Sequence, residues 1–289
     1  MPRIGMENSE PMRMQKGETR TSEQLRRHYE IERRLAAMLR NATAPERPGL
    51  YNKLYDELYR LAPDHPQLVH RLSEHKLEEA RRNLVFLGRF LTSRSRFLEI
   101  GPGDCSLSFE VARRVQEVSA VDICETMSHR AETPANFRLV ISDGRAVPVP
   151  PQSIDVAFSN QLMEHLHPDD AEAQLDGVYR ALAPGGIYIC LTPNRLSGPH
   201  DISRYFDPVA TGFHIKEYTI SELRDLFLRA GFSRVRVYAE GRGKYAPVHP
   251  ALAGGCEALL AALPRNLRTR VARALPLKLI LGIRIVGVK

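Results

Sequence analysis

From Arg96 onward the chain alternates short apolar runs with helical repeats, and few folds accept that alternation. Phe97-Leu98-Glu99-Ile100 reads as a buried strand, followed by a helix face of Leu107, Val111 and Val115. Residues 118–123, 137–141, 154–159 and 186–192 read as four more strands. Before the last of them, Leu175, Val178, Tyr179 and Leu182 mark a helix opened by Pro168 and closed by Gly185-Gly186. Thr219 and Glu222 have capping-box spacing and open another helix, which buries Leu223, Leu226, Phe227 and Ala230 and stops at Gly231. Residues 233–238 form a sixth strand. Near the C-terminus, Ile283 and Ile285 alternate with Arg284 and Val286, which predicts a seventh strand pairing with the sixth. Residues 239–275 then become an insertion between them, with a helix near 257–263. The expected fold class is α/β, a doubly wound and mostly parallel sheet. In such sheets ligands bind at the carboxyl ends of the strands.

Upstream, residues 1–20 lack periodicity and read as a disordered tail. Residues 21–92 read as a helical region, a lid or an oligomerisation element. Thr21 and Gln24 have capping-box spacing, and Ile31, Leu35 and Met38 fall on one face. A break follows at 41–49. A second helix carries Leu54, Leu58 and Leu61, with Tyr51, Tyr55 and Tyr59 at i, i+4 and i+8; such a stripe is expected to pack with its hydroxyls at the rim. A third helix runs over about 67–91. With 289 residues, one α/β domain over 93–289 plus this appendage fits the length.

Composition narrows the classes. No apolar run approaches the ~20 residues of a membrane span, and the polar start has no h-region, so no signal peptide is expected. The net charge is +7, but no basic stripe interleaves with aromatics, so no nucleic-acid partner is expected. Cys105, Cys124, Cys190 and Cys256 sit at unrelated spacings, which suggests neither a zinc site nor a disulfide framework and fits a reducing cytoplasm.

The chemistry concentrates just after the strands. Glu99-Ile100-Gly101-Pro102-Gly103-Asp104-Cys105 joins the first strand to a helix, and its glycines permit a tight turn and close approach of a ligand. Asp122 ends the second strand, where a carboxylate takes two ribose hydroxyls. Ser142-Asp143-Gly144 ends the third, where a carboxylate accepts from an adenine amino group. Asn160 follows the fourth. Residues 97–231 thereby resemble a class I S-adenosylmethionine-dependent methyltransferase of the small-molecule, type 11-like branch. FLEIGPGDCS, AVDI, SDG, SNQLMEHL and LAPGGIYICLTPN follow one another as that family's motifs do. The resemblance implies a Rossmann-like seven-stranded sheet with the last strand antiparallel, and S-adenosyl-L-methionine as cofactor. It places Glu99 near the methionine amino group, Gly101 and Gly103 under the amino-acid part, Asp122 at the ribose, Asp143 and Gly144 at the adenine, and Asn160 in the pocket wall. Cys105 departs from the family's third glycine; it is small enough to be tolerated, with a side chain able to narrow the approach. A nicotinamide binder wants a third glycine where this chain has Ser106 or Leu107.

Methyl transfer from a sulfonium needs chiefly a positioned nucleophile, with a base only where the acceptor carries a proton of high pKa. His165 and His214 are the catalytic candidates, and His200 is a further candidate base. Arg204, Tyr205 and Phe206 stand where related enzymes contact substrate. Some relatives hold a divalent metal with E-x-x-E-H and a later His. Gln161 replaces the first carboxylate here, which weakens such a site, so no metal is expected at Glu164, His165 and His214. The reading is a cytoplasmic methyltransferase acting on a small-molecule, sugar or lipid-precursor acceptor, with O-methylation favoured. A non-catalytic cofactor-binding or assembly protein and a metal-assisted enzyme are the alternatives. Membrane-surface contact, suggested by the basic and apolar stretch at 268–289, and homodimerisation stay open.

Overall fold

Helix α1 (Ser22–Asn41) starts at the predicted capping box: Thr21 Oγ1 accepts from the Gln24 amide, and Gln24 Oε1 accepts from the Thr21 amide. The computed structural model describes residues 14, 18–69, 74–124, 133–274 and 277–289, so most of the expected disordered tail lies outside the described residues. The buried face of α1 is Leu25, His28, Tyr29, Glu32, Leu35, Ala36 and Leu39. Met38, expected on that face, is 51% exposed. The face rotates because His28 and Glu32 are buried together, and an apolar-only period cannot register a buried polar pair.

α2 (Leu50–Leu61) buries Tyr51, Leu54 and Leu58. Within the stretch expected as one helix over 67–91 lie α3 (Pro66–Val69) and α4 (Glu74–Leu87), with residues 70–73 between them outside the described residues. Then follow β1 (Arg96–Ile100), α5 (Ser106–Ala112), β2 (Glu117–Asp122), β3 (Phe137–Ile141), β4 (Ile154–Asn160), α6 (Pro168–Ala181) and β5 (Leu182–Thr192). α7 (Ile220–Arg229), β6 (Arg234–Gly241), β7 (Lys244–Val248), α8 (Pro250–Ala261), α9 (Arg265–Ala272), α10 (Leu277–Leu281) and β8 (Ile283–Val288) complete the order.

The strands form one sheet in the order β3-β2-β1-β4-β5-β8-β6-β7. β1 to β5 are mutually parallel, and β8 runs antiparallel to both neighbours, β5 and β6. The C-terminal strand therefore pairs with the sixth as expected. Among the described residues the sheet has eight strands rather than seven because β7 folds back on β6 through Arg242 and Gly243, both at positive φ. Pro247 in β7 suits an edge strand, which needs no donor on its outer side. The expected insertion thus begins as a hairpin and continues as helices.

Side chains alternate across the sheet and split the core in two. Phe97, Val118 and Phe158 pack with Leu84 and Leu87 of α4 and Val111 of α5. Leu98, Ala157 and Cys190 face the other way, toward Leu54, Leu175 and Leu223 of α2, α6 and α7. The N-terminal helices are tied to the sheet domain by polar contacts as well. Arg47, 2% exposed, pairs with Asp170 on α6 at 2.7 Å, and Tyr51 donates to the same carboxylate at 2.8 Å. Among the described residues, no helix is long and apolar enough to cross a membrane.

Candidate active site

The turn after β1 is built from left-handed residues. Gly101, Gly103 and Cys105 have φ of 66°, 57° and 58°. A non-glycine residue in that region costs about 1 kcal/mol, so the Cys105 conformation is held by its surroundings. Its side chain is fully buried and stays out of the cavity wall, so it does not narrow the approach. A Cβ at Gly103 would meet nothing within 4 Å, which leaves that side of the turn open to a ligand.

Asp122 locks the turn to the end of β2. Its Oδ2 accepts from the Gly103 amide at 3.3 Å and its Oδ1 from the amides of Ile123 and Cys124. Burial pushes its carboxyl up to about 6, although these amides pull it down. Glu99 lies deeper, bound by the Ser108 hydroxyl. Burial raises it to about 8, with the charges of Asp104 and Asp122 adding to the effect. A buried carboxyl in that state accommodates a ligand cation, which returns it to its charged form.

A cavity of about 350 Å³ opens over the strand ends, a size suited to a small cofactor. Glu99, Gly101, Gly103, Asp122, Gly144 and Asn160 line it. Asp143 does not. Its Oδ1 instead accepts from the amides of Arg145 and Ala146 and fixes the turn that presents Gly144. Gly144 has φ 89°, and a Cβ there would sit 2.8 Å from the Tyr51 ring. Asn160 donates to Glu79 on α4 at 3.0 Å. Tyr51, Tyr55 and Tyr59 form part of the wall, so the stripe expected to pack also faces the cavity. Asn52 Oδ1 and Gln174 Oε1, both on lining residues, are buried with no partner among the described residues. These unpaired acceptors, the open turn and the two raised carboxyls fit a ligand bearing amino and hydroxyl donors.

A second cavity, about 840 Å³, adjoins the first. Tyr55, Gln67, Lys76, Gln161 and His165 line both. Gln161, at the junction, has φ 54°, a strained conformation of the kind functional sites retain. The outer wall comes from α1 and from the loop around residues 200–214, including His200, Arg204, Tyr205 and His214. Phe206, expected beside them, stacks on Tyr29 instead.

Two His-carboxylate clusters border this second cavity, each with three ligand atoms within 4.8 Å of one another. One is His28, Glu32 and His65. Arg20 donates to His28 Nδ1 at 2.6 Å, and the Gln67 amide donates to His65 Nδ1 at 3.2 Å. Each Nε2 therefore carries the proton, and both face Glu32 Oε1, at 2.7 and 3.5 Å. Glu32 Oε2 accepts from the Phe213 amide. Burial disfavours the Glu32 carboxylate, but its histidine partners outweigh that and hold its pKa well below the usual range.

The other cluster is Glu164, His165 and His214. His165 donates from Nδ1 to the Phe213 carbonyl at 3.0 Å, and His214 from Nδ1 to Glu217 at 2.7 Å. In the neutral rings the Nε2 atoms are then left as acceptors. Glu164 Oε2 accepts from Thr192 at 2.8 Å, while Oε1 is buried with no partner among the described residues. Burial raises Glu164 to about 7, tempered by the His214 charge. Burial pushes His165 down to about 3. Burial would also lower His214, but Glu217, Glu164 and Asp201 reverse this and raise it. Glu217, Glu32, His28 and His65 carry no motif signal. The i, i+4 spacing of His28 and Glu32 on α1 and the i, i+3 spacing of His214 and Glu217 were the available hints.

The sheet order, the ordered strand-end motifs and the cavity above them are those of a class I methyltransferase domain, and the relatives this domain matches are described as S-adenosylmethionine-dependent. Residues 97–186 match the family model described as a methyltransferase domain. A Mycolicibacterium smegmatis protein described as a probable S-adenosylmethionine-dependent methyltransferase is 35% identical over 142 residues, 47% of this chain and 51% of the relative. Carboxy-S-adenosyl-L-methionine synthase of Shewanella loihica is 25% identical over 147 residues, 46% of this chain and 54% of that protein. The chain thus spans about half the length of the curated relatives it matches. Among solved structures, phosphoethanolamine N-methyltransferase 1 of Haemonchus contortus, in complex with phosphoethanolamine and S-adenosylhomocysteine, superposes with a TM-score of 0.54 at 17% identity. That match covers 86% of this chain and 50% of the other, and it is a likeness of fold.

Proposed function

We propose that the chain transfers a methyl group from S-adenosylmethionine to a small-molecule, sugar or lipid-precursor acceptor in the second cavity, with oxygen the favoured methyl acceptor. The observation that carries this reading is the wall shared by the two cavities at Gln161 and His165. It lets a donor and an acceptor approach each other without water between them. Glu99 would hold the amino group of the cofactor, Gly101 and Gly103 would accommodate its amino-acid part, and Asp122 would hold the ribose hydroxyls. Asp143 holds the turn that sets Gly144 at the adenine side, and Asn160 completes the wall. Bound there, the cofactor supplies an electrophilic methyl group on a sulfonium whose departure leaves a neutral thioether.

The protein's own work is placement and one proton. His214 Nε2 accepts the acceptor's hydroxyl proton, and Glu217 compensates the charge gained at the far nitrogen. His165, kept neutral by burial, offers Nε2 as a fixed hydrogen-bond acceptor at the shared wall. Residues 21–92 act as the cover, since α2 lines both cavities and α1 lines the second. A cytoplasmic location belongs to this reading, supported by four cysteines that no disulfide joins.

A second reading draws on the orientation of the rings. Glu164, His165 and His214 bring one potential ligand atom each within 4.8 Å of the others, and Nδ1 of each histidine is fixed by a hydrogen bond, as one nitrogen of a metal-bound histidine commonly is. Glu164, His165 and His214 would hold a divalent cation there, and it would polarise an acceptor oxygen.

Calorimetric titration tests the proposal. Wild type is expected to bind S-adenosylmethionine and S-adenosylhomocysteine at micromolar Kd and NAD not at all, with tightening of the acceptor complex by Mg²⁺ favouring the metal reading. Asp122→Ala is expected to weaken both sulfur ligands by about 100-fold while melting within a few degrees of wild type, since two charge-assisted hydrogen bonds are lost. Unchanged affinity in that variant would remove Asp122 from the site. Cofactor binding with no turnover across a broad acceptor panel would favour the non-catalytic reading.

A further inference from the structure

Helix α8 turns an unusual face to solvent. Ala251, Leu252, Gly255, Ala258, Leu259 and Ala262 are all exposed, and none carries a charge or a hydrogen-bonding side chain. Leu252 is 58% exposed and Leu259 74%. Seven residues apart, they stand two turns along one face. The helix has one acid, Glu257, and it is buried. α9 continues the pattern with Leu267, 48% exposed, and exposed Arg270 three residues on. Arg265, Arg273 and Lys278 are exposed beside them. From residue 258 to residue 289 the sequence has seven basic residues and no acidic one.

We propose that the α8–α9 face docks on an anionic lipid bilayer. Exposed leucines bordered by cations complement one surface in particular, an acyl-chain boundary beneath a layer of phosphates. The α8 face has no polar side chain to set a register against a folded partner, which favours a fluid surface over a protein groove. The same helices brace the wall of the second cavity. Glu257 accepts from Asn194 and from the Ile220 and Ser221 amides at the start of α7. Arg273 donates to the Ser197 carbonyl and Arg265 to the Asp207 carbonyl. A bilayer against α8 and α9 therefore lies beside the loop that walls the acceptor cavity, and docking presents that cavity to molecules resident at the membrane.

Co-sedimentation of the full chain with phosphatidylcholine vesicles, with and without about one third phosphatidylglycerol, tests this. Binding is expected only with the anionic lipid and is expected to fall steeply at about 0.5 M salt, where screening shortens to a few ångströms. Arg270→Ala and Lys278→Ala are each expected to weaken it about fivefold, and Leu252→Ser with Leu259→Ser to abolish it. These exposed positions leave melting temperature and S-adenosylmethionine affinity unchanged, so failure here is separable from failure of the methyl-transfer reading. Equal binding to neutral vesicles, or undiminished binding of the double serine variant, overturns the proposal. So does a dimer in sedimentation velocity, without lipid, that the double serine variant dissolves; the face would then belong to a second copy of the chain.

Discussion

Two clusters with the same composition, two histidines and a glutamate, border the second cavity, yet their outer hydrogen bonds give them opposite characters. At His28 and His65 the far nitrogen accepts, from Arg20 and from the Gln67 amide, so both inner nitrogens are protonated and converge on Glu32. That cluster is closed: both ring N–H groups point at Glu32, and neither inner nitrogen has a lone pair to offer a proton or a metal. At His165 and His214 the far nitrogen donates, to the Phe213 carbonyl and to Glu217, so in the neutral rings the Nε2 atoms keep their lone pairs, and the cluster also holds an unsatisfied Glu164 oxygen. That cluster is open. The residue that decides the role of each histidine is the partner on the side away from the site.

The largest expected effect breaks the closed cluster. Glu32→Ala removes the acceptor of two ring N–H groups and of the Phe213 amide at a buried position that joins α1 to the 200–214 loop. Orphaning them is expected to cost about 3 kcal/mol of unfolding free energy in urea titration. The fraction that stays folded should bind cofactor as wild type does. Cofactor affinity lost in parallel with stability would mean that the cluster serves the site directly and the contrast with the open one is false.

Next comes the open cluster. His214→Ala is expected to lower kcat by about 10²-fold with the acceptor saturating, the typical contribution of a positioned base, while cofactor Kd stays within about twofold. Glu217→Gln keeps the hydrogen bond but not the charge, so an intermediate loss of kcat sharpens the assignment. If His28→Ala lowers kcat as much without unfolding the protein, the two clusters are functionally equivalent and the tautomer argument fails.

The sheet was readable because its signals are local. Each strand end carries its own turn, and Ile283 and Ile285 announce β8 by alternation alone, which is why a strand pairing with β6 could be placed from sequence. β7 escaped because Lys244, Tyr245, Ala246, Pro247 and Val248 look like a loop; its pairing comes from the β6 edge it folds against. The cofactor side was legible for the same reason as the sheet, with one exception. Asp143 sits in the expected motif but spends its carboxylate on its own turn. The acceptor side was far less so. Glu32 meets Phe213 across 181 positions of sequence, and Tyr55 meets His165 across 110. No periodicity registers contacts of that range, and the buried His28–Glu32 pair even displaced the predicted face of α1.

The smallest expected effect concerns pH, and here the two glutamates should behave with opposite sign. Glu164 is raised from the usual 4.5 to about 7 by burial, partly offset by the charge of His214. The folded state therefore binds this proton more tightly than the unfolded chain does. The stabilisation is fully present below about 4.5 and is lost as pH rises through about 7. Glu32 is held below 4.5, so its contribution is present above that value and fades as pH falls beneath it. Glu164→Gln, which mimics the protonated form, is then expected to melt a few degrees above wild type at about pH 8 and level with it near pH 5. Glu32→Gln should be destabilised at about pH 8 and recover toward acid. Parallel melting curves for wild type and Glu164→Gln across that range would show that the Glu164 carboxylate is already satisfied when charged. The second cluster would then be closed like the first, and His214 would lose the electrostatic setting that makes it a base.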